Sequence, residues 1–370
     1  MNIGYFINFK WAPPATGAGI HAYQLAIKLM ERGHTFHKIF YDYNIPFIKQ
    51  YKRREFLKFL KAVDLIYIRV HEGLKTDHYS LLKALRPFNL PVVWEINAPL
   101  EENLFLGQSQ RNVKKLQQRR KFLARFVDAS IATCDELKNY AGEELNIKNS
   151  YALPLGSDPK LFSPEKHDAA LFKGYEDFFK VVWAGSAQYA WQGLNIVKEV
   201  ARRVYQKDRR VVFFIIGKKK DQDLKYLEFD NIKIIDRMDY DSAARYIASC
   251  DAGLCLYNHQ PGAKFYRSPL KLFDYMSCGL PVISTRVGQI GDIVRHMENG
   301  ILIDDNNLDE VVNHILFLKN DQKKAQQIGI EARMSIEKYY NWTRVAQETE
   351  QILLKCLARQ KVVSYEKKLA

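Results

Sequence analysis

Ser268-Pro269-Leu270-Lys271-Leu272-Phe273-Asp274-Tyr275-Met276-Ser277-Cys278-Gly279-Leu280-Pro281-Val282-Ile283-Ser284 reads as a helix that runs straight into a buried strand. Ser268 is placed to cap the helix, Pro269 suits its first position, and Gly279 ends it before the apolar run from Pro281 to Ser284. The free N–H groups and dipole of such a helix start favour a phosphate. Asp274, about one and a half turns in, offers a carboxylate to a ribose diol. The plainer alternative is a capped helix whose Asp faces water.

Outward from this segment the same strand-and-helix unit repeats in both directions. Lys180–Ala184, Val211–Ile216, Ile232–Ile235, Gly253–Leu256, Pro281–Ser284 and Ile301–Ile303 are strand-length apolar runs separated by helical patterns. An earlier series comprises Ile3–Asn8, Leu65–Val70, Pro91–Ile96 and Asp128–Thr133, with an amphipathic helix at Ile20–Glu31. Buried strands alternating with helices imply parallel sheets covered on both faces. Between the two series lies Leu153-Pro154-Leu155-Gly156-Ser157-Asp158-Pro159-Lys160-Leu161-Phe162-Ser163-Pro164, a linker by composition. The expected organisation is an α/β chain of two doubly wound, Rossmann-like domains, 1–164 and 165–340, facing a central cleft, followed by a helical tail, 341–370, that returns toward the first. Ligands of such folds bind beyond the carboxyl ends of the strands.

At 370 residues, 47% hydrophobic and 26% charged, the chain is an ordinary globular protein long enough for two cores. No apolar run reaches the ~20 residues that span a bilayer, and residues 1–10 do not read as a signal peptide. Five scattered cysteines, never spaced C-x-x-C, suggest neither a disulfide framework nor a zinc site, so a cytoplasmic, reduced protein is expected. The net charge of +14 is concentrated. Lys49–Lys61 holds six basic residues and one acid, and Arg111–Arg125 seven basic residues and no acid. Both read as basic amphipathic helices, with Val113, Leu116, Leu123 and Val127 on one face of the second and Lys114, Lys115, Lys121 and Arg125 pointing away. They suit an anionic membrane surface, the alternative being a solvated helix face. No nucleic-acid module accompanies the charge.

The motifs together resemble a glycosyltransferase of the GT-B fold, similar to family 4 of retaining, nucleotide-sugar-dependent enzymes, also called glycosyl transferases group 1. Gly17-Ala18-Gly19-Ile20 to Leu25-Ala26, with Arg32-Gly33-His34, resembles the first glycine loop and its helix. Trp94-Glu95-Ile96-Asn97-Ala98-Pro99-Leu100-Glu101-Glu102 resembles a segment of one branch. Leu153–Phe162 resembles the interdomain motif, and Trp183-Ala184-Gly185-Ser186 with Trp191-Gln192-Gly193-Leu194 the start of the second domain. Ser268–Ser284 resembles the donor motif, and Glu298-Asn299-Gly300-Ile301-Leu302 and Tyr339-Tyr340-Asn341-Trp342 the late landmarks. The resemblance implies a sugar nucleotide as co-substrate, no dedicated cofactor, and transfer with retention. It places Asp274 where the family has the second Glu of its E-x7-E motif, which holds the donor ribose. Ser268, Pro269 and Leu270 then line the diphosphate, and Gly17 and Gly19 let the first loop approach it.

The family pattern is not kept throughout. Its first Glu falls on Tyr266, and its basic pair falls on the neutral Ser186 and Gln192. A leaving diphosphate needs its charge stabilised. A metal, the helix start, or Lys264, Arg267 and Lys271 are the available sources; the last set is preferred and no metal is demanded. Leu155 replaces the usual Asn of the interdomain motif. On the acceptor side, Glu95 and Asn97 stand at the carboxyl end of a strand and Glu102 just beyond, where a carboxylate or amide can stabilise an oxocarbenium-like transition state or orient a hydroxyl. His71 and Glu72 are further candidates. Arg69 and Trp94 read as structural, and Asp239-Tyr240-Asp241 as a loop lining the base pocket. The expected activity is transfer of a sugar to an envelope glycan or glycolipid acceptor, by a cytoplasmic protein attached peripherally to the inner face of the membrane. A degenerate protein that binds the nucleotide sugar without catalysis, and a basic polyanion-binding scaffold, remain as alternatives. An epimerase or phosphorylase on this fold would need a second acid/base or a free phosphate site, and neither is identified.

Overall fold

The computed structural model describes residues 1–7, 17–39, 48–70, 82, 85–101, 107–187, 189–218, 229–258, 265–304 and 307–369. The chain forms two compact units, Met1–Pro154 with Trp342–Ala370, and Leu155–Asn341.

The first unit is built on a parallel sheet of β1 (Asn2–Phe6), β2 (Thr35–Ile39), β3 (Ile48–Tyr51), β4 (Leu65–Val70), β5 (Val92–Ile96), β6 (Ala129–Ala132) and β7 (Ser150–Ala152), in the order β3-β2-β1-β4-β5-β6-β7. Its helices are α1 (Gly17–Glu31), α2 (Phe56–Ala62), α3 (Gln110–Ala124) and α4 (Asp135–Glu143). All six residues of β4 are buried, because helices cover both faces. Three strands go beyond the sequence reading. β2 carries His37 and Lys38, polar residues that are nonetheless buried, and β3 and β7 are short sheet edges with little aliphatic character.

β3 corrects the first basic helix. Lys49–Tyr51 is strand, Arg53–Glu55 is a single 3-10 turn, and the α-helix is confined to Phe56–Ala62. Tyr51 is buried and Ile48 half-buried while Lys49 and Gln50 stay exposed, as suits an edge strand paired on β2. In α3, Arg120 is buried rather than solvated, donating to the Ala98 carbonyl at 3.0 Å and contacting the Tyr140 hydroxyl at 3.5 Å.

The second unit is a parallel sheet of β8 (Phe179–Ala184), β9 (Val211–Lys218), β10 (Ile232–Asp236), β11 (Ala252–Cys255), β12 (Val282–Thr285) and β13 (Ile301–Ile303), in the order β10-β9-β8-β11-β12-β13. Helices α5 (Leu194–Lys207), α6 (Tyr240–Ala248), α7 (Leu270–Ser277), α8 (Ile290–Ile293), α9 (Leu308–Asn320) and α10 (Gln322–Tyr339) surround it. The core of this unit runs from Trp183, Val197 and Phe213 to Ile283, Ile315 and Ile328.

The division between units falls at Pro154 and Leu155, ahead of 164/165, because residues 155–162 are docked rather than free. The Leu155 N–H donates to the Ser268 hydroxyl (3.0 Å), Ser157 to Asp274 (2.7 Å), and Ser277 to the Phe162 carbonyl (2.7 Å). The last helix, α11 (Trp342–Leu369), belongs to the first unit. It packs on α1, with Glu350 accepting from Arg32 Nε and pairing with His34 Nε2, each at 2.7 Å. No helix of the described residues is long and apolar enough to cross a membrane.

Candidate functional site

In the second unit the candidate residues gather where β8 and β11 end and α7 begins. Ser268 does not cap α7: its hydroxyl accepts from the Leu155 N–H, and Pro269, which has no side-chain cap to offer, holds the cap position in extended conformation. The helix start therefore keeps N–H groups available to an anion.

Beside it, Lys271 points its ammonium at the faces of Trp183 and Tyr257, 4.3 and 5.4 Å from the ring centroids. The nitrogen is out of contact with solvent and has no hydrogen-bond partner among the described residues. Burial pulls its pKa down to about 8. The Gln192 amide oxygen, likewise buried and unpartnered, closes the same space. Both meet at Gly185, where a Cβ would collide with Gln192 and stand 3.3 Å from the Lys271 nitrogen, so only glycine leaves the space open. Arg267 lays its guanidinium on the Trp191 ring at 3.5 Å, and Trp191 stacks on Tyr257 at 5.9 Å. Ser186, Tyr266, Pro269 and Leu270 are half-buried around this group. The aromatic floor escaped the sequence reading because Trp191 and Tyr257 converge only through the strand order. Lys264 lies outside the described residues.

Asp274 is turned inward. Its carboxylate accepts from Ser157 (2.7 Å) and from the Tyr240 hydroxyl (3.1 Å to each oxygen), and burial raises its pKa to about 7. As placed, it joins α7 to α6 and to the 155–158 segment. Asp239 caps α6, accepting from the Ser242 N–H at 2.8 Å. Among the described residues no three His, Cys, Asp or Glu side chains stand together as metal ligands.

In the first unit, Gly17 and Gly19 form the first turn of α1 rather than a loop, Gly17 exposed and Gly19 buried. Glu95 is 1% exposed and thus closed to direct contact with an acceptor. It faces its cross-strand partner Arg69 in a buried ion pair, and accepts from Tyr67 and Asn97, each at 2.8 Å. Burial pushes the Glu95 carboxyl up, but Arg69, His21 and these hydrogen bonds outweigh it and hold the pKa below the ordinary value. His21, on α1, is 2.9 Å from an Arg69 nitrogen and stacks on Trp342. Burial drives its pKa to about 3, so the ring is neutral; since arginine only donates, Nδ1 accepts and Nε2 carries the proton. Asn97, whose amide donates to Glu95, is the half-buried member of this cluster. His21 and Tyr67 were missed, although a lone Arg in β4 and a lone Glu in β5 are together a signal of a buried pair. Glu102, His71 and Glu72 lie outside the described residues.

Residues 179–321 match the family model described as glycosyl transferases group 1. Over this stretch the chain is similar to the group 1 glycosyltransferases. The stretch contains the cluster around Lys271 and all of α7. An uncharacterized glycosyltransferase of Methanocaldococcus jannaschii is 21% identical over 241 residues, 63% of this chain and 59% of that protein, so the alignment spans less than two thirds of the relative. Among solved structures, sucrose-phosphate synthase of Thermosynechococcus elongatus is 17% identical with a TM-score of 0.73, covering 97% of this chain and 99% of that one. HepE of Anabaena, solved with UDP, is 18% identical with a TM-score of 0.72, covering 96% and 100%; it has also been solved with UDP-glucose. At such identities the likeness is one of fold. The fold is GT-B, two Rossmann-like units with a helical tail, as the motifs along the chain implied.

Proposed function

We propose that this protein transfers a sugar from a uridine diphosphate sugar to an envelope glycan or glycolipid acceptor, with retention of configuration. The carrying observation is the buried, unpartnered ammonium of Lys271 beside the uncapped start of α7. A desolvated cation next to free N–H groups is matched by a diphosphate, whose charge grows as the sugar departs. In this reading Lys271 and Arg267 stand in for the family's basic pair, and no metal is required. Uridine is favoured by the UDP and UDP-glucose bound to HepE.

The first unit takes the acceptor. Asn97 meets the acceptor hydroxyl, while Glu95 acts through it as a positioning residue. Chemically, the leaving phosphate accepts the proton of the attacking hydroxyl, so no side-chain nucleophile is needed.

The test is a thermal-shift series with UDP, GDP, ADP and dTDP, each with its sugars, followed by release of UDP from the best donor with and without candidate acceptors. Stabilisation by UDP and UDP-sugars alone, with acceptor-dependent release, is expected. Stabilisation without turnover would move the reading to the degenerate binding protein suggested by Tyr266, Ser186 and Gln192. No stabilisation by any nucleotide would end it.

A further inference from the structure

The two basic segments of the first unit, distant in sequence, are brought to one face of its sheet. The connection β1–α1–β2 runs one way across the strand order, whereas β3–α2–β4 and β5–α3–β6 run the other. Right-handed crossovers therefore place α2 and α3 on the same face of the sheet, opposite α1. Side-chain alternation agrees: a Cβ on Gly4 would meet Phe59 of α2, while its neighbour Tyr5 bonds the Ala22 carbonyl of α1.

On α3, Lys114, Lys115, Lys121 and Arg125 are exposed, and residues 110–125 contain no acid. Among them Phe122 stands 42% exposed, with the Arg125 guanidinium over its ring at 5.7 Å. On α2 and the turn before it, Arg53, Arg54, Lys58 and Lys61 surround Leu57, which is 61% exposed. The single acid, Glu55, is drawn below its ordinary pKa by the Lys52 N–H and lies 3.7 Å from Lys58. The patch ends at α4, where Asp135 and Glu143 are exposed.

Isolated exposed apolar side chains are common on soluble proteins. Here each of two is ringed by cations on the same face. We infer that this face docks on an anionic lipid bilayer, the cations meeting the headgroups and Leu57 and Phe122 entering the interface. Nucleic acid would use the charge but not the two apolar side chains. The inference stands on the first unit alone and does not depend on the transfer reaction. It also revises the surface read from sequence, since Lys49 lies on an edge strand and Arg120 is internal.

The experiment is co-sedimentation of the full chain with phosphatidylcholine vesicles, with or without 30% phosphatidylglycerol, at low and high salt. Wild type is expected to pellet only with the anionic vesicles. Partitioning should fall by about tenfold in Lys114→Gln/Lys115→Gln/Lys121→Gln, and also in Leu57→Ser/Phe122→Ser. These side chains are exposed, and an unchanged circular dichroism melt confirms that each variant is folded. Equal pelleting with neutral vesicles, or wild-type partitioning in both variants, overturns the proposal. So does loss in the charge variant alone together with tight binding of a DNA duplex, which would make the face a polyanion site.

Discussion

Lys271 carries a charge into a wall formed by Trp183, Tyr257 and the Gln192 amide, and among the described residues no acid pairs with it. Its folded pKa of about 8 lies below the usual 10.5, so the unfolded chain holds the proton more tightly between those values. Stability should therefore rise with pH across that window, and below it the buried ammonium costs up to roughly 3 kcal/mol. Lys271→Met should raise the melting temperature at neutral pH and flatten that rise, while weakening UDP binding by about tenfold or more. A variant both less stable and equally able to bind UDP would contradict the assignment. Asp274 behaves in the opposite sense. Its pKa is raised from 3.8 to about 7, so the folded state holds the extra proton and stability falls as pH rises between those values, by up to roughly 4 kcal/mol. Asp274→Asn should abolish the fall, seen by comparing melting temperatures of the two proteins from pH 5 to pH 8. The placement of Asp274 on a helix that runs into a buried strand was legible in the sequence. Its inward orientation was not, because Ser157 and Tyr240 are far from it along the chain.

At the scale of elements, β4 and β5 present Arg69 and Glu95 as a cross-strand pair, and α1 brings His21 over it. This separates Glu95 from Asn97, two residues further on, although both were candidates for chemistry. Glu95→Gln leaves Arg69 without its counter-charge in the interior and should destabilise the first unit by about 3 kcal/mol. Asn97→Ala removes one hydrogen bond to that carboxylate and should cost about 1–2 kcal/mol, less than Glu95→Gln, yet lower the turnover number about a hundredfold if it meets the acceptor. Denaturant melts beside initial rates would separate the two. Equal losses of stability with unchanged turnover would deny Asn97 a role at the acceptor. Strand and helix assignments of this kind were legible wherever apolar runs were long, as in β4 and β9. The misreading at Lys49–Tyr51 arose where charge density imitates a helix face, while pairing on β2 decided the matter. Similarly, Ser268 has the residue type of a helix cap but is claimed by a backbone N–H from a segment more than a hundred residues away.

For the whole molecule, chain order and folding unit do not coincide. The two-sheet architecture could be read from the restart of the strand pattern, but the docked 155–162 segment and the return of Trp342–Ala370 to the first unit depend on contacts that no local signal announces. The consequence is measurable. Trp342 fills a buried position against His21, and Glu350 ties Arg32 and His34, so removal of residues 342–370 withdraws one wall of the first unit's core. Leu155–Asn341, by contrast, keeps its whole sheet and the Lys271 cluster. Calorimetry of the truncated chain should lower or abolish a transition belonging to the first unit and retain one that UDP raises, since a ligand stabilises only the unit that binds it. If UDP no longer raised any transition after the truncation, the nucleotide site would need the first unit, and its assignment to α7 and Lys271 alone would fall.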